Sequence, residues 1–125
     1  MKKQILSLSK LILIVMFLAV YPAIVHAQDP LEVGPDVYKK VFENERVRVM
    51  EVDFKLGGSI KMHSHPDHFV YVLLGGKLEL TYPDGTNKTI EGKPGEVFWI
   101  PAESHATRNI GDSEFKALVV ELKTS

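Results

Sequence analysis

From residue 37 onwards the chain is built of short stretches in which apolar and polar residues alternate, each ended by a turn signal. Residues 46–54, RVRVMEVDF, and residues 77–82, KLELTY, have the two-residue period of a β-strand. Gly57-Gly58 and Pro83-Asp84-Gly85 are typical of tight turns. Turn signals recur about every 8 to 12 residues without helical periodicity between them, which predicts an all-β sandwich or barrel.

The strands predicted by this pattern cover residues 37–42, 46–54, 59–62, 69–74, 77–82, 87–91, 96–100, 104–109 and 115–122. Residues 69–74, FVYVLL, are apolar throughout, which is typical of a strand covered on both faces. We expect the barrel interior to be lined by residues such as Met62, Val70, Val72, Phe98 or Trp99.

The first 27 residues differ from the rest of the chain. Lys2, Lys3 and Lys10 precede or open an apolar run over residues 11–25, and Val25-His26-Ala27 fits a small-x-small cleavage site. We predict a signal peptide over residues 1–27 that is cut after Ala27, an extended lead-in over 28–36, a barrel domain over 37–125, and a periplasmic or secreted location. The alternative is an uncleaved membrane anchor, although the run is shorter than the ~20 residues of a usual spanning helix.

The net charge indicates which partners the mature chain can have, and the cysteine content indicates how it is stabilised. Cleavage would remove three lysines and no acid, leaving 15 − 3 = 12 basic residues against 16 acidic ones, a net charge of −4. This mildly acidic surface gives no reason to expect nucleic acid, or a membrane after cleavage, as a partner. The chain has no cysteine, so a domain of this size must be stabilised by its core, and a homodimer or a bound ion can add to this stability.

Four of the five histidines fall in two short segments of the mature chain, at His63, His65, His68 and His105. Residues two apart on a strand project to the same face, so His63 and His65 can direct two imidazoles at one point, as a metal requires. Such a pair also occurs by chance on surface strands, and by itself it does not decide between these readings.

The surroundings of the histidines resemble the two sequence motifs of the cupin family. In GSIKMHSHPDHFVYVLLG, residues 58–75, a glycine precedes His-x-His, as in the first motif. In GEVFWIPAESHATRN, residues 95–109, a glycine, five residues and a proline precede a histidine that an asparagine follows four positions later, as in the second motif. The resemblance spans most of residues 37–122 and implies a small jelly-roll barrel, the double-stranded β-helix.

The resemblance also implies a ligand set. His63, His65 and His105 match the metal ligands of the family, and His68 stands seven positions before Gly75, where the family has a glutamate. The resemblance therefore implies that His68 is a fourth ligand in place of the carboxylate. The second motif is one residue shorter than the family pattern and carries Glu103 where a glycine is expected nearby.

Glu103 is two residues before His105, so on a regular strand both side chains point to the same side. It is a candidate for a fourth ligand, a hydrogen-bond partner of a ligand, or a catalytic proton acceptor; the alternative is an exposed turn residue. Each ligand is expected to have an oxygen partner, for which the sequence offers the candidates Glu51, Asp67, Glu96 and Glu103.

A set of imidazoles favours one divalent transition metal, iron, zinc, copper, nickel or manganese, over calcium or magnesium. Three protein ligands with an open position are typical of a catalytic site, which leads to a dioxygenase-like metalloenzyme acting on a small organic molecule. Isomerase, decarboxylase or lyase chemistry is also compatible with the resemblance. The other readings are a noncatalytic module that binds a metal or small ligand, and a pocket lined by histidines without a metal.

Overall fold

The computed structural model describes residues 28–124, which form one short helix and nine strands. The elements are α1 (Pro30–Val33), β1 (Tyr38–Glu43), β2 (Val47–Phe54), β3 (Ser59–His65), β4 (His68–Leu74), β5 (Gly76–Thr81), β6 (Asn87–Gly92), β7 (Val97–Ile100), β8 (Glu103–Asn109) and β9 (Phe115–Leu122). The predicted signal peptide, residues 1–27, lies outside the described residues. No helix within residues 28–124 has the length and apolar character to cross a bilayer.

The nine strands form two antiparallel sheets. One sheet has the order β1-β2-β9-β4-β7 and the other the order β3-β8-β5-β6. From β2 to β5 and again from β6 to β9, consecutive strands alternate between the two sheets, which enclose one core. The predicted all-β double-stranded β-helix is therefore confirmed.

The core follows from strict alternation on β2 and β9, two adjacent strands of the larger sheet. Met50, Val52 and Phe54 of β2 are buried, and they stand opposite buried apolar residues of β9. Burial of side chains of this size stabilises a fold by about 1.5–3 kcal/mol each relative to exposure. The interior side of β2 is therefore the one that the sequence pattern assigns to Met50 and Val52.

Strand β3 departs from regular alternation through a β-bulge. Ile60 pairs with Thr107 and His63 pairs with His105, so three steps along β3 correspond to two along β8. The extra residue shifts the phase of the strand, which leaves Ile60 and His63 both buried. The expectation that Met62 lines the interior was wrong, because the bulge turns this side chain outward, where it is 36% exposed.

The lead-in, residues 28–36, is not extended throughout. Pro30–Val33 form one helical turn, which Asp29 caps by accepting a hydrogen bond from the Leu31 backbone N–H. Asp at the cap and Pro at the first helical position both favour a helix start. These local effects outweigh the extended conformation that the composition of the segment predicts.

The outward side of the larger sheet carries an apolar row across all five strands. The members stand opposite one another from edge to edge: Phe42, Val49, Val120, Phe69 and Trp99. Trp99 is 56% exposed, so the expectation that it lines the interior was wrong; Phe98 and Ile100 hold the inward positions of β7. β4 is likewise open on its outward side, where Tyr71 and Leu73 are exposed, although its apolar sequence predicts cover on both faces.

Asn109, the last residue of the second motif, is buried and structural. Its side-chain amide donates to the carbonyls of Phe54, Lys55 and Ser113, and its side-chain oxygen accepts from the Gly111 backbone N–H. It joins the end of β2 to the turn before β9.

Candidate metal centre

Three strands bring the four histidines together between the sheets. His63 and His65 come from β3, His105 stands directly opposite His63 on β8, and His68 opens β4 in the facing sheet. Ring centroids lie 4.9 Å apart for His63 and His105, 5.4 Å for His65 and His105, and 4.5 Å for His65 and His68. All four side chains are buried, so two segments distant in sequence meet in one cluster.

Each imidazole uses its Nδ1 atom for a hydrogen bond to an oxygen. His63 Nδ1 lies 2.7 Å from the carbonyl oxygen of Lys61, and His68 Nδ1 lies 2.8 Å from that of Pro66. His65 Nδ1 lies 2.6 Å from Glu121 Oε2, and His105 Nδ1 lies 2.8 Å from Glu103 Oε1. Since these oxygens accept, the proton of each neutral ring belongs on Nδ1, and the lone pair belongs on Nε2.

The free nitrogens fit a metal ion. Within residues 28–124, His63, His65 and His105 form a group whose ligand atoms all lie within 4.8 Å of one another. His63 Nε2 is buried and has no hydrogen-bond partner among the residues that the structure describes, a costly state for a polar atom. Three imidazoles with ordered Nδ1–H partners are a usual set of ligands for zinc, copper, iron or nickel.

His68 is brought beside this group but is not one of its three members. Its Nδ1 hydrogen bond likewise leaves Nε2 free, so the fourth-ligand role of His68 stays a prediction.

Burial keeps the imidazoles neutral. Removal from solvent lowers the pKa of His63 to about 4, an effect that the Lys61 carbonyl opposes, and burial together with the neighbouring His68 lowers the pKa of His105 to about 4. The pKa values of His65 and His68 are also lowered, first by burial. Metals bind neutral imidazole, so the four rings are ready for coordination at neutral pH.

Two carboxylates serve as Nδ1 partners, and only one of them is among the sequence candidates. Glu103 bonds His105, which matches its predicted position on the same side of β8. Glu121 of β9 bonds His65 and was missed. The signal was present, since Glu121 falls in phase with the buried Phe115, Ala117 and Val119, and a charged residue in a buried phase indicates a partner.

The other predicted oxygen partners lie elsewhere. Asp67 accepts from the Ala102 backbone N–H, and Glu96 accepts from the Lys93 backbone N–H. Glu51 stands on the outward side of β2, in phase with Val47 and Val49.

A tyrosine and a small cavity adjoin the histidines. The Tyr38 hydroxyl lies 3.4 Å from His65 Nε2, and burial raises the pKa of this phenol above its usual value. A cavity of about 50 Å³ is lined by Tyr38, His65, His68 and His105 on one side and by apolar residues of both sheets on the other. At roughly 10–15 Å³ per water, it has room for a few waters or a small ligand.

Glu103 and Glu121 differ in their surroundings. Burial raises the pKa of both carboxyls, and for Glu121 the adjacent Arg48 guanidinium opposes this rise. The Glu121 side chain is 3% exposed and the Glu103 side chain 24% exposed, so Glu103 is the carboxylate nearer to solvent.

Solved structures with a similar fold include cupin domains. The chain is similar to a cupin domain from Bordetella pertussis Tohama I, with 31% identity, a TM-score of 0.65, and coverage of 70% of this chain and 93% of the other. It is also similar to the polyketide cyclase RemF from Streptomyces resistomycificus, with 29% identity, a TM-score of 0.54, and coverage of 70% and 64%. An RmlC-like cupin with a double-stranded β-helix fold from Methanocaldococcus jannaschii shares the fold at 19% identity, with a TM-score of 0.57 and coverage of 70% and 79%.

No curated protein matches the chain. The sequence pattern of the cupin domain family, however, matches residues 50–121, the part that carries all four histidines and both carboxylates. Together with the fold and the histidine cluster, this match shows that the chain belongs to the cupin domain family.

Proposed function

We propose that the protein binds one divalent transition metal through Nε2 of His63, His65 and His105 and acts with it on a small organic molecule as a dioxygenase-like enzyme. The observation that carries the proposal is Nε2 of His63, which is buried without a hydrogen-bond partner in the described part of the chain. It belongs to a group of three histidines whose ligand atoms lie within 4.8 Å of one another. A bound ion would satisfy this atom, and three protein ligands would leave positions for other molecules.

The residues around the ligands have separate tasks in this proposal. Glu103 and Glu121 hold the Nδ1 protons of His105 and His65, which directs both Nε2 lone pairs inward. Tyr38 offers a neutral hydroxyl beside His65 that can donate a hydrogen bond to a ligand. A bound ion would supply Lewis acidity and, for iron, one-electron chemistry with dioxygen.

The cavity limits the ligand to a small and largely apolar molecule. Its walls away from the histidines are apolar, among them Phe54, Val70 and Phe98, and such walls exclude water and favour apolar groups. The similarity to a polyketide cyclase supports action on an organic substrate and keeps chemistry without a net redox change as an alternative to oxygenation.

The first experiment measures metal content by elemental analysis of the purified protein and its variants. We expect about one equivalent of a transition metal in the unmodified protein and its loss in His63→Ala and His105→Ala. Ser64→Ala, between the two β3 ligands, is the matched control and should keep the metal. Absence of metal after reconstitution with iron, zinc, copper, nickel and manganese would contradict the proposal.

A noncatalytic metal- or ligand-binding module is the second candidate, and the position of His68 favours it. The buried His68 ring packs 4.5 Å from His65, so coordination by a fourth imidazole would leave less room for substrate. His68→Ala separates the two: retained metal with substrate-dependent oxygen uptake by the iron-loaded protein supports the enzyme. Metal loss in His68→Ala, with no turnover of a broad substrate panel by the unmodified protein, supports the module.

We also propose that the protein is exported, because residues 1–27 have the composition of a signal peptide. N-terminal sequencing of the protein from the envelope or medium should begin at Gln28. A start at Met1 in the membrane fraction would instead support an anchor.

A further inference from the structure

A chain of buried and half-buried polar contacts leads from the centre to the N-terminal turn. His65 Nδ1 donates to Glu121 Oε2 at 2.6 Å, and Glu121 Oε1 accepts from Arg48 Nε at 2.7 Å. Arg48 Nη2 lies 2.6 Å from the same oxygen and completes the ion pair. Arg48 Nη1 donates to Asp29 Oδ2 at 2.6 Å, and Asp29 Oδ1 accepts from the Leu31 N–H at 2.9 Å. Every oxygen of the two carboxylates therefore has a partner.

These contacts restrict the orientation of the His65 ring. A carboxylate held at one oxygen only can rotate, whereas Arg48 also holds the second oxygen of Glu121, through a hydrogen bond from Nε and an ion pair with Nη2. The planar guanidinium is held in turn by Asp29. With Arg48 fixed at both ends, Glu121 Oε2 is kept facing His65.

A second contact joins the N-terminal turn to the same strand. The Ser64 backbone N–H, between His63 and His65, donates to the carbonyl oxygen of Gln28 at 2.9 Å. Gln28 thus contacts β3 through its backbone, and Asp29 is linked to His65 indirectly, through the side chains of Arg48 and Glu121. The other two members of the group lack such a chain, because His63 donates to a backbone carbonyl and His105 to the partly exposed Glu103.

We propose that Asp29 and Arg48 are positioning residues for His65, which makes the N-terminal turn a functional part of the metal centre. The inference rests on the proposed metal binding and extends it from the ligands to a segment outside the matched family region, residues 50–121. Asp29 and Arg48 do not contact the ion; they act through Glu121.

The test compares Asp29→Asn with Asp36→Asn, the same substitution at an exposed position seven residues further along the chain. Asn still caps α1 but places an uncharged amide against Arg48, so the fold is expected to persist. We expect a three- to tenfold rise in the Zn²⁺ Kd for Asp29→Asn and a 10- to 100-fold rise for Arg48→Gln. Arg48→Lys, which keeps the charge without the planar fork, should fall between Arg48→Gln and the unmodified protein, and Asp36→Asn should match the unmodified protein.

A spectroscopic readout separates positioning from general stability. The imidazole Nδ1–H resonance of His65, measured by ¹H–¹⁵N NMR, should shift or broaden in Asp29→Asn while those of His63 and His105 stay unchanged. Unchanged Zn²⁺ affinity and an unchanged His65 signal in both Asp29→Asn and Arg48→Gln would overturn the proposal, as would equal shifts at all three histidines.

Failure of the metal function gives a different pattern. If the unmodified protein binds none of iron, zinc, copper, nickel and manganese, the proposed function fails. The His65 signal of the metal-free protein then decides the positioning role: a selective change in Asp29→Asn supports it, and no change overturns it.

Discussion

At the scale of single residues, the centre is defined by what occupies each Nδ1 atom. Two rings use backbone carbonyls of their own strand or the turn before it, and two use carboxylates. A carbonyl oxygen can only accept a hydrogen bond. The neutral imidazoles of His63 and His68 therefore have their proton on Nδ1. For His105 and His65, the carboxylates Glu103 and Glu121 have this role.

Replacement of Glu103 by Gln tests this role. The amide can still approach His105 Nδ1 but is a weaker acceptor than a carboxylate, so we expect the Zn²⁺ Kd to rise about 10-fold. Competition titration with a chromophoric chelator measures this value, and Glu91→Gln, an exposed change on β6, is the control. An unchanged Kd together with a large loss of turnover would instead make Glu103 the catalytic proton acceptor of the sequence prediction.

The lowered pKa values predict acid sensitivity of the metal-free protein. Unfolded histidines titrate near 6.5, whereas His63 and His105 in the folded protein titrate at about 4. Between these values the unfolded chain binds more protons, so the free energy of unfolding falls as the pH is lowered through this window, by about 1.4 kcal/mol per pKa unit for each group. The raised pKa values of Glu103 and Glu121 have the opposite effect on the free energy of unfolding. Because four histidines of the centre have lowered pKa values and two carboxyls have raised ones, we expect a net loss of stability at lower pH.

Thermal unfolding of the metal-free protein at pH 7 and pH 5 measures the effect. We expect a lower Tm at pH 5 and a smaller drop in His105→Asn, which lacks one titrating ring. A Tm that is equal or higher at pH 5 would show that the histidines are not kept neutral by burial.

At the scale of the elements, the site depends on which side chains of β3 point to the interior. Alternation from Ile60 alone would turn His63 outward, and the bulge at Lys61 and Met62 restores the inward phase. From His63 to His65 the strand is regular and pairs residue by residue with β8. The bulge therefore separates the part of β3 that packs in the core from the part that carries ligands.

Two single-residue deletions test how the bulge determines which side chains of β3 point inward. Without Met62, Ile60 and His63 are two apart and both remain inward, so we expect a folded protein with a Zn²⁺ Kd within about threefold of the unmodified value. Without Ser64, His63 and His65 become neighbours on opposite faces, which should abolish tight binding. Equal loss in both deletions, with circular dichroism showing intact strands, would contradict this account of the bulge.

The sequence predicted the strands and the ligand-bearing segments because both depend on local patterns. The period of two placed β2 and β9, and the spacing of His63 and His65 indicated a shared face. The inward phase of β3 was not predictable in this way, because a bulge depends on the partner strand. The contact of Glu121 with His65 joins β9 to β3 across the two sheets, which no local pattern reports.

At the scale of the whole molecule, the apolar row across the larger sheet has no cover within residues 28–124. It runs through Phe42, Val49, Val120, Phe69 and Trp99 on five adjacent strands. Its neighbours Tyr71 and Val97 are exposed as well. Large apolar patches on soluble proteins usually mark interaction sites, and a flat sheet face can pack against a copy of itself about a two-fold axis.

We expect the predicted homodimer to use this face. An interface of ordinary size buries roughly 800 Å² per partner, an area that a five-stranded face with several aromatic residues can supply. Trp99→Lys should raise the dimer Kd at least 30-fold, since a Trp that is buried in an interface often contributes more than about 2 kcal/mol. Sedimentation velocity measures this change, with Leu56→Lys as the control at an exposed position between β2 and β3; a monomeric unmodified protein would refute the prediction.

The pairing of β3 with β8 has a consequence for how the protein matures. Ser64 and Ser104 meet across these strands although they are 40 positions apart, so the chain must close a long loop, at an entropic cost, before His63 and His105 can share an ion. A nascent or half-folded chain offers at most the local pair on β3. Tight coordination is therefore confined to the native state. A free metal concentration of 100 times the Kd would add about 2.7 kcal/mol to the free energy of unfolding. The supply of metal would thus determine the fraction of the protein that stays folded.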